Sequence, residues 1–260
     1  MTDPIRPARA SGDGSSPGDP PLLEVAGLTV RYRNGALGIQ DVSFVVYPGQ
    51  ILAVLGAAGA GKTTTVRGIS GFLRGEGARA IRGSVRFGSR DITNREPHEV
   101  CALGVFAVPE RRKIFSNLSV RENLEALGPQ LVRGARRAEV EETIFELFPI
   151  LAKSRRQLAG RLSGGQQQML AIARALMTDP KLLIIDEMTL GLHPSLHLPL
   201  FEAVQRIAAT GSAVVLVDES TGLTLEVAQH AVLLQAGQVL ASGPSAQFAD
   251  SDMVVESYVS

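Results

Sequence analysis

Five apolar residues, Ile51-Leu52-Ala53-Val54-Leu55, run directly into Gly56-Ala57-Ala58-Gly59-Ala60-Gly61-Lys62-Thr63-Thr64, and a helix-compatible segment continues to Phe72. This order of buried strand, glycine-rich turn and helix start constrains the chain more than any other feature. Glycines let a backbone curl until its N–H groups converge on one point, and a helix beginning there adds partial positive charge. The pattern is G-x-x-x-x-G-K-[ST], a phosphate cradle. Its candidate binding residues are Gly56, Ala57, Ala58, Gly59, Ala60, Gly61, Lys62, Thr63 and Thr64. Lys62 has the reach for the outer phosphates, and the Thr63 hydroxyl is a candidate Mg²⁺ ligand. A glycine-rich turn with a surface lysine is the plainer alternative, and the preceding strand argues against it.

Other strand-length apolar runs recur at 22–30, 42–46, 84–87, 104–108, 182–185, 213–217, 231–234 and 239–241. Several are unbroken runs of Val, Ile and Leu, as expected of strands buried on both faces. Helical patterns lie between them at 63–72, 137–147, 166–177 and 196–209. Strands alternating with helices predict an α/β fold with a mostly parallel sheet. The stretch from about 96 to 175 is mainly helical in pattern and reads partly as a helical arm. Residues 1–21 are rich in Pro, Gly, Ser and Asp and read as a disordered tail, leaving 22–260 as one domain.

Composition narrows the function classes. The 26 basic residues balance the 26 acidic ones, which argues against a general nucleic-acid binder and against a polybasic membrane anchor. No apolar stretch approaches the roughly 20 residues a spanning helix needs, and the N-terminus lacks the apolar core of a secretory signal. The single cysteine, Cys101, allows no intrachain disulfide and reads as a small apolar packing residue.

A second chemical feature closes the run Leu182-Leu183-Ile184-Ile185 with Asp186-Glu187. Ligands bind at the carboxyl ends of strands in parallel sheets. Asp186 is therefore a candidate metal ligand and Glu187 a candidate general base for an attacking water. Alone, the pair is equally well read as a solvated acidic turn.

Leu162-Ser163-Gly164-Gly165-Gln166 opens a helix, and Ala173-Arg174-Ala175-Leu176 follows. Ser163 is an N-cap residue, and two glycines admit close backbone approach to an anion. With the phosphate loop and the acidic strand end in this order, the chain resembles the ATP-binding cassette superfamily. The resemblance covers residues 22–260. It implies a P-loop NTPase fold with a mostly parallel core sheet, an antiparallel β portion and a helical subdomain. It implies ATP and Mg²⁺ as ligands. It also implies head-to-tail pairing, in which Ser163, Gly164, Gly165 and Gln166 of one cassette cover the ATP held by the other. Tyr32 stands where such cassettes stack an aromatic ring on adenine; an ordinary strand tyrosine is the alternative.

Val108-Pro109-Glu110-Arg111-Arg112-Lys113-Ile114-Phe115, Leu118-Ser119-Val120-Arg121-Glu122-Asn123-Leu124 and Glu146-Leu147-Phe148-Pro149 are similar to runs in the ATP-binding subunits of branched-chain amino acid importers. They resemble the shorter of the two cassettes in such systems. Importers of urea and short amides share these runs. The resemblance implies Glu110 near Mg²⁺, two transmembrane permease subunits, a companion cassette in a hetero- or homodimer, and an extracytoplasmic solute-binding protein. It places the chain at the cytoplasmic face of the membrane. Arg111, Arg112 and Lys113 lie near the expected permease contact, with a solvated basic turn as the alternative.

Four departures from that pattern stand out, the first of them a pair of residues. Ala57 and Ala58 remove an Asn side chain from the phosphate loop. Met188 replaces the proline after the acidic pair, a change expected to loosen the turn that holds Glu187. His193 replaces Asp or Ala; with His197 it has helical spacing, but Pro194 intervenes and no third ligand is near. Glu219 stands where the group carries His or Gln. Two like charges about 4 Å apart at an effective dielectric of about 20 repel by about 4 kcal/mol. A carboxylate beside the terminal phosphate is unfavourable unless Mg²⁺, Lys62 or a proton offsets it; otherwise it turns away or the site hydrolyses slowly. Glu219 joins Glu187 as a candidate catalytic residue, with retained but weakened ATPase activity as the expectation. A regulatory cassette that cleaves little ATP is the alternative.

Overall fold

The computed structural model describes residues 20–110, 113–126, 132, 134–219 and 222–248. Most of the tail (1–19), Arg111, Arg112 and the last stretch, 249–260, lie outside the described residues.

Alternation inside the apolar runs sorts the core into two layers. In β3 (Ile51–Leu55), Ile51, Ala53 and Leu55 pack into one hydrophobic cluster, while Leu52 and Val54 pack into another. β7 (Leu182–Asp186) and β8 (Ala213–Asp218) divide in the same way. Their period of two therefore feeds both faces of one sheet, which explains the unbroken Val, Ile and Leu runs.

That sheet has the order β10-β9-β3-β8-β7-β6, completed by β6 (Val105–Val108), β9 (His230–Gln235) and β10 (Gln238–Pro244). All neighbours are parallel except β9 and β10, which form an antiparallel edge. A second, antiparallel sheet has the order β2-β1-β4-β5, from β1 (Leu23–Tyr32), β2 (Leu37–Val46), β4 (Ala78–Phe87) and β5 (Arg90–Asp91). Its inner residues, among them Leu23, Leu28, Val30, Val42 and Val85, close over one face of the parallel sheet. The mostly parallel sheet with an antiparallel portion is the architecture expected above.

α1 (Lys62–Ser70) lies between the two sheets, and α2 (Pro97–Ala102) follows it. The opposite face is covered by α6 (Gly164–Leu176), α7 (His197–Ala209) and α8 (Gly222–Val227). Helices α3 (Val120–Glu125), α4 (Gly134–Leu147) and α5 (Pro149–Lys153) pack against α6. α4 buries only Val140 and Ile144, so its stability comes from that one stripe. Ser119 and Glu122 form a reciprocal capping box at the start of α3, which is why a helix of six residues holds there. Sequence pattern had singled out none of α2, α3, α5 or α8, because such short helices carry too few turns for a period to register.

Candidate nucleotide site

Sheet order brings the chemistry together. β3 pairs in register with β8, Leu55 opposite Asp218, and β8 pairs with β7, Val217 opposite Asp186. Three strands thus end side by side, one in the phosphate loop and two in Asp-Glu pairs. The second pair, Asp218-Glu219, repeats the first in sequence as well as in place.

The loop is shaped by two glycines with no substitute. Gly56 has φ 150, and a Cβ there would meet the Leu234 carbonyl oxygen at 2.4 Å. Gly61, at φ 104, caps α1 in the left-handed region, and a Cβ would lie 2.7 Å from Ile39 Cγ2. Backbone bonds tie the loop to the β9–β10 turn, with the Gly237 N–H donating to the Ala60 carbonyl at 3.0 Å. The loss of an Asn side chain at Ala58 is thus a local one, since glycine geometry and main-chain bonds hold this curve.

Lys62 is 5% exposed. Its ammonium donates to the carbonyls of Gly56 at 2.7 Å and Ala57 at 3.1 Å, and to Glu219 Oε1 at 3.2 Å. Glu187 Oε1 stands 3.6 Å away. Of the outcomes open to Glu219, the structure adopts an ion pair with the phosphate-loop lysine.

Asp186 is buried, and its Oδ1 has no hydrogen-bond partner. Burial, with the negative charge of Glu110, pushes its carboxyl up to about 6; Lys62, Arg67 and the Thr63 hydroxyl pull the other way. Such an orphaned oxygen is costly unless a ligand completes it. Glu187 is pushed up to about 7, first by burial and then by Asp218, Glu219 and Asp186, against the pull of Lys62. Its backbone sits at φ 52, an uncommon conformation for a side chain of this size, with its N–H donating to Val217 O at 2.8 Å. Met188 follows this turn. Its side chain is 2% exposed within the hydrophobic core and anchors the residue after Glu187.

The Tyr32 hydroxyl is hydrogen-bonded to Thr64 Oγ1 at 2.9 Å, so the ring is fixed to the third residue of α1. Tyr32 lines a cleft of about 780 Å³ with Arg31, Arg33, Arg74, Arg79 and Asn94 among its walls.

Ser163 caps α6. Its hydroxyl accepts from the Gln166 N–H while Gln166 Oε1 accepts from the Ser163 N–H at 3.0 Å. Ser163 and Gly164 are exposed, whereas Gly165 is buried, and a Cβ there would overlap Leu196 at 2.2 Å. No hydrogen bond or ion pair among the described residues joins this turn to the phosphate loop.

Sequence reading missed how the basic run is used. Lys113 is half-buried and bonded to Gln168 of α6, while its carbonyl accepts from Arg174, whose guanidinium lies 4.4 Å over the Phe115 ring. Lys113 therefore points to α6, and Arg111 and Arg112 lie outside the described residues. Asp218 was also missed, although its Asp-Glu pairing at a strand end was a visible signal. It is 4% exposed and accepts from Thr224. His193 bonds to Ser195, and no group of three or more His, Cys, Asp or Glu among the described residues is placed to hold a metal. Cys101 is half-buried, and burial raises its thiol, in keeping with a packing role.

Residues 39–190 match the ABC transporter family. The chain is 34% identical over 228 residues to the high-affinity branched-chain amino acid transport ATP-binding protein BraG of Pseudomonas aeruginosa, covering 88% of this chain and 95% of that one. It is 32% identical to the probable branched-chain amino acid transport ATP-binding protein LivG of Archaeoglobus fulgidus, covering 92% and 95%. A crystal structure of a nucleotide-free ATP-binding cassette from an ABC transporter superposes with a TM-score of 0.80 at 26% identity, covering 92% of this chain and 99% of the other.

Proposed function

This chain belongs to the ABC transporter family, and from that membership we propose that it hydrolyses ATP to power an importer of branched-chain amino acids. The observation that carries the proposal is the convergence of Lys62, Asp186 and Glu187 at the ends of β3 and β7, the strands that flank β8. Curled N–H groups of residues 56–64 receive the phosphates, with Lys62 on the outer ones. Glu187 orients the attacking water and accepts its proton. A carboxyl raised to about 7 exchanges that proton readily near neutral pH. Tyr32 offers its ring to the base.

Thr63, Asp186 and Glu110 would hold Mg²⁺. The orphaned Asp186 Oδ1 fits such an ion, as does an all-oxygen donor set with few carboxylates, since Mg²⁺ takes phosphate and water for the rest. When bound, that ion neutralises charge on the outer phosphates.

Exposure of Ser163 and Gly164 supports a paired arrangement in which this turn covers ATP on a second cassette. The full assembly then comprises this chain, a companion cassette, two membrane permeases and an extracytoplasmic solute-binding protein. No described helix is long and apolar enough to cross a membrane, so attachment at the inner face would run through the permeases.

A second reading, a regulatory cassette with weak hydrolysis at its own loop, is favoured by the Glu219–Lys62 ion pair. Single-turnover hydrolysis separates the two. The proposal expects cleavage by the wild-type chain with its companion, reduced at least about a hundredfold by Glu187→Gln. Equal rates in both would refute the role of Glu187. Loss of leucine uptake on deleting the gene, with urea uptake intact, supports the solute class; the reverse pattern reassigns it to urea and short amides.

A further inference from the structure

We propose that Glu219 is an internal stand-in for the terminal phosphate: it occupies Lys62 until a triphosphate displaces it, and it weakens ATP relative to ADP. The inference rests on the nucleotide reading above and adds a selectivity device to that site.

An ammonium has three N–H donors. Those of Lys62 are satisfied within this chain by Gly56 O, Ala57 O and Glu219 Oε1. A phosphate oxygen that takes a bond from Lys62 must remove one of these acceptors. Two are main-chain carbonyls of the cradle itself, and Gly56 is wedged against the Leu234 carbonyl. Moving them would unmake the loop. Glu219 is the acceptor free to leave, because its side chain is 45% exposed and can swing into water. Glu187, whose side chain is 12% exposed, lacks that exit.

Placement gives the nucleotide preference. Glu219 follows the last residue of β8, next to β7, and its charge acts on Glu187. That is the hydrolytic end of the site proposed above. A terminal phosphate entering there meets the charge of Glu219 directly, while a diphosphate stops short of it. Four carboxylates, Asp186, Glu187, Asp218 and Glu219, crowd this end; Lys62 acts on Asp186 and Glu187, and Arg67 on Asp186. Neutralising the one mobile carboxylate relieves both the competition for Lys62 and the repulsion.

Equilibrium dialysis of ATP and ADP against the full chain, with and without Mg²⁺, tests this on wild type, Glu219→Gln and Glu219→Ala. The half-exposed position tolerates both substitutions. ATP should bind about tenfold more tightly to both variants, and ADP less than about threefold more tightly. Equal tightening for the two nucleotides, or no tightening of ATP, overturns the inference while leaving the nucleotide site intact. If neither nucleotide binds wild type or variants with Mg²⁺ present, the nucleotide reading falls and this inference falls with it.

Discussion

Replacing Asp186 with Asn should stabilise the protein while destroying its activity. Asp186 is 4% exposed, its Oδ1 has no partner, and Glu110 faces it with like charge. Its carboxyl moves from an ordinary 3.8 to about 6 on folding. Below pH 3.8 it is protonated whether the chain is folded or not, and it contributes nothing. As pH rises from there towards 6, the folded state holds the proton more tightly than the unfolded one, so stability falls. Above about 6 the full cost is present. A displacement of about two pH units at about 1.4 kcal/mol each makes that cost about 3 kcal/mol. Asn keeps the shape and removes the charge. Thermal melts without divalent cations should show a gain of about 3 kcal/mol at pH 8, or roughly 6–12 °C in Tm, shrinking to near zero by pH 4. ATP turnover should be lost at every pH. A gain that is independent of pH, or no gain at pH 8, would refute the claim that an uncompensated buried charge is stored here for a ligand.

Two further substitutions probe the ends of the site. Gly38→Ala places a Cβ 2.6 Å from Tyr32 Cε2 and 2.8 Å from Thr64 Cγ2, prising apart the Tyr32–Thr64 hydrogen bond. It should cost about 1–3 kcal/mol in a denaturant melt and weaken ATP binding by displacing Tyr32 and Thr64 together; unchanged affinity would argue against a role for Tyr32. Ser163→Ala removes the cap of α6 at a cost of about 1 kcal/mol. The isolated chain should still bind ATP normally, while turnover of the assembled cassette pair falls; impaired binding in isolation would count against action on a neighbour's nucleotide.

Local pattern was sufficient for the strand, glycine turn and helix of 51–70, for the Asp186-Glu187 strand end, and for the Ser163 cap. Each depends on residues a few positions apart, and backbone geometry converts such spacing into shape with little help. The balance of buried faces in β3, β7 and β8 was equally legible, because unbroken apolar runs have one economical home. What spacing alone cannot carry is which strand ends become neighbours. Lys62 and Glu219 are 157 positions apart and meet because β3 lies beside β8 in the sheet order. The same holds for the left-handed backbone at Glu187, the anchoring of Met188 in the core, and the capture of Lys113 by α6. Burial and charge crowding, which raise Asp186 and Glu187, exist only once distant segments close round them.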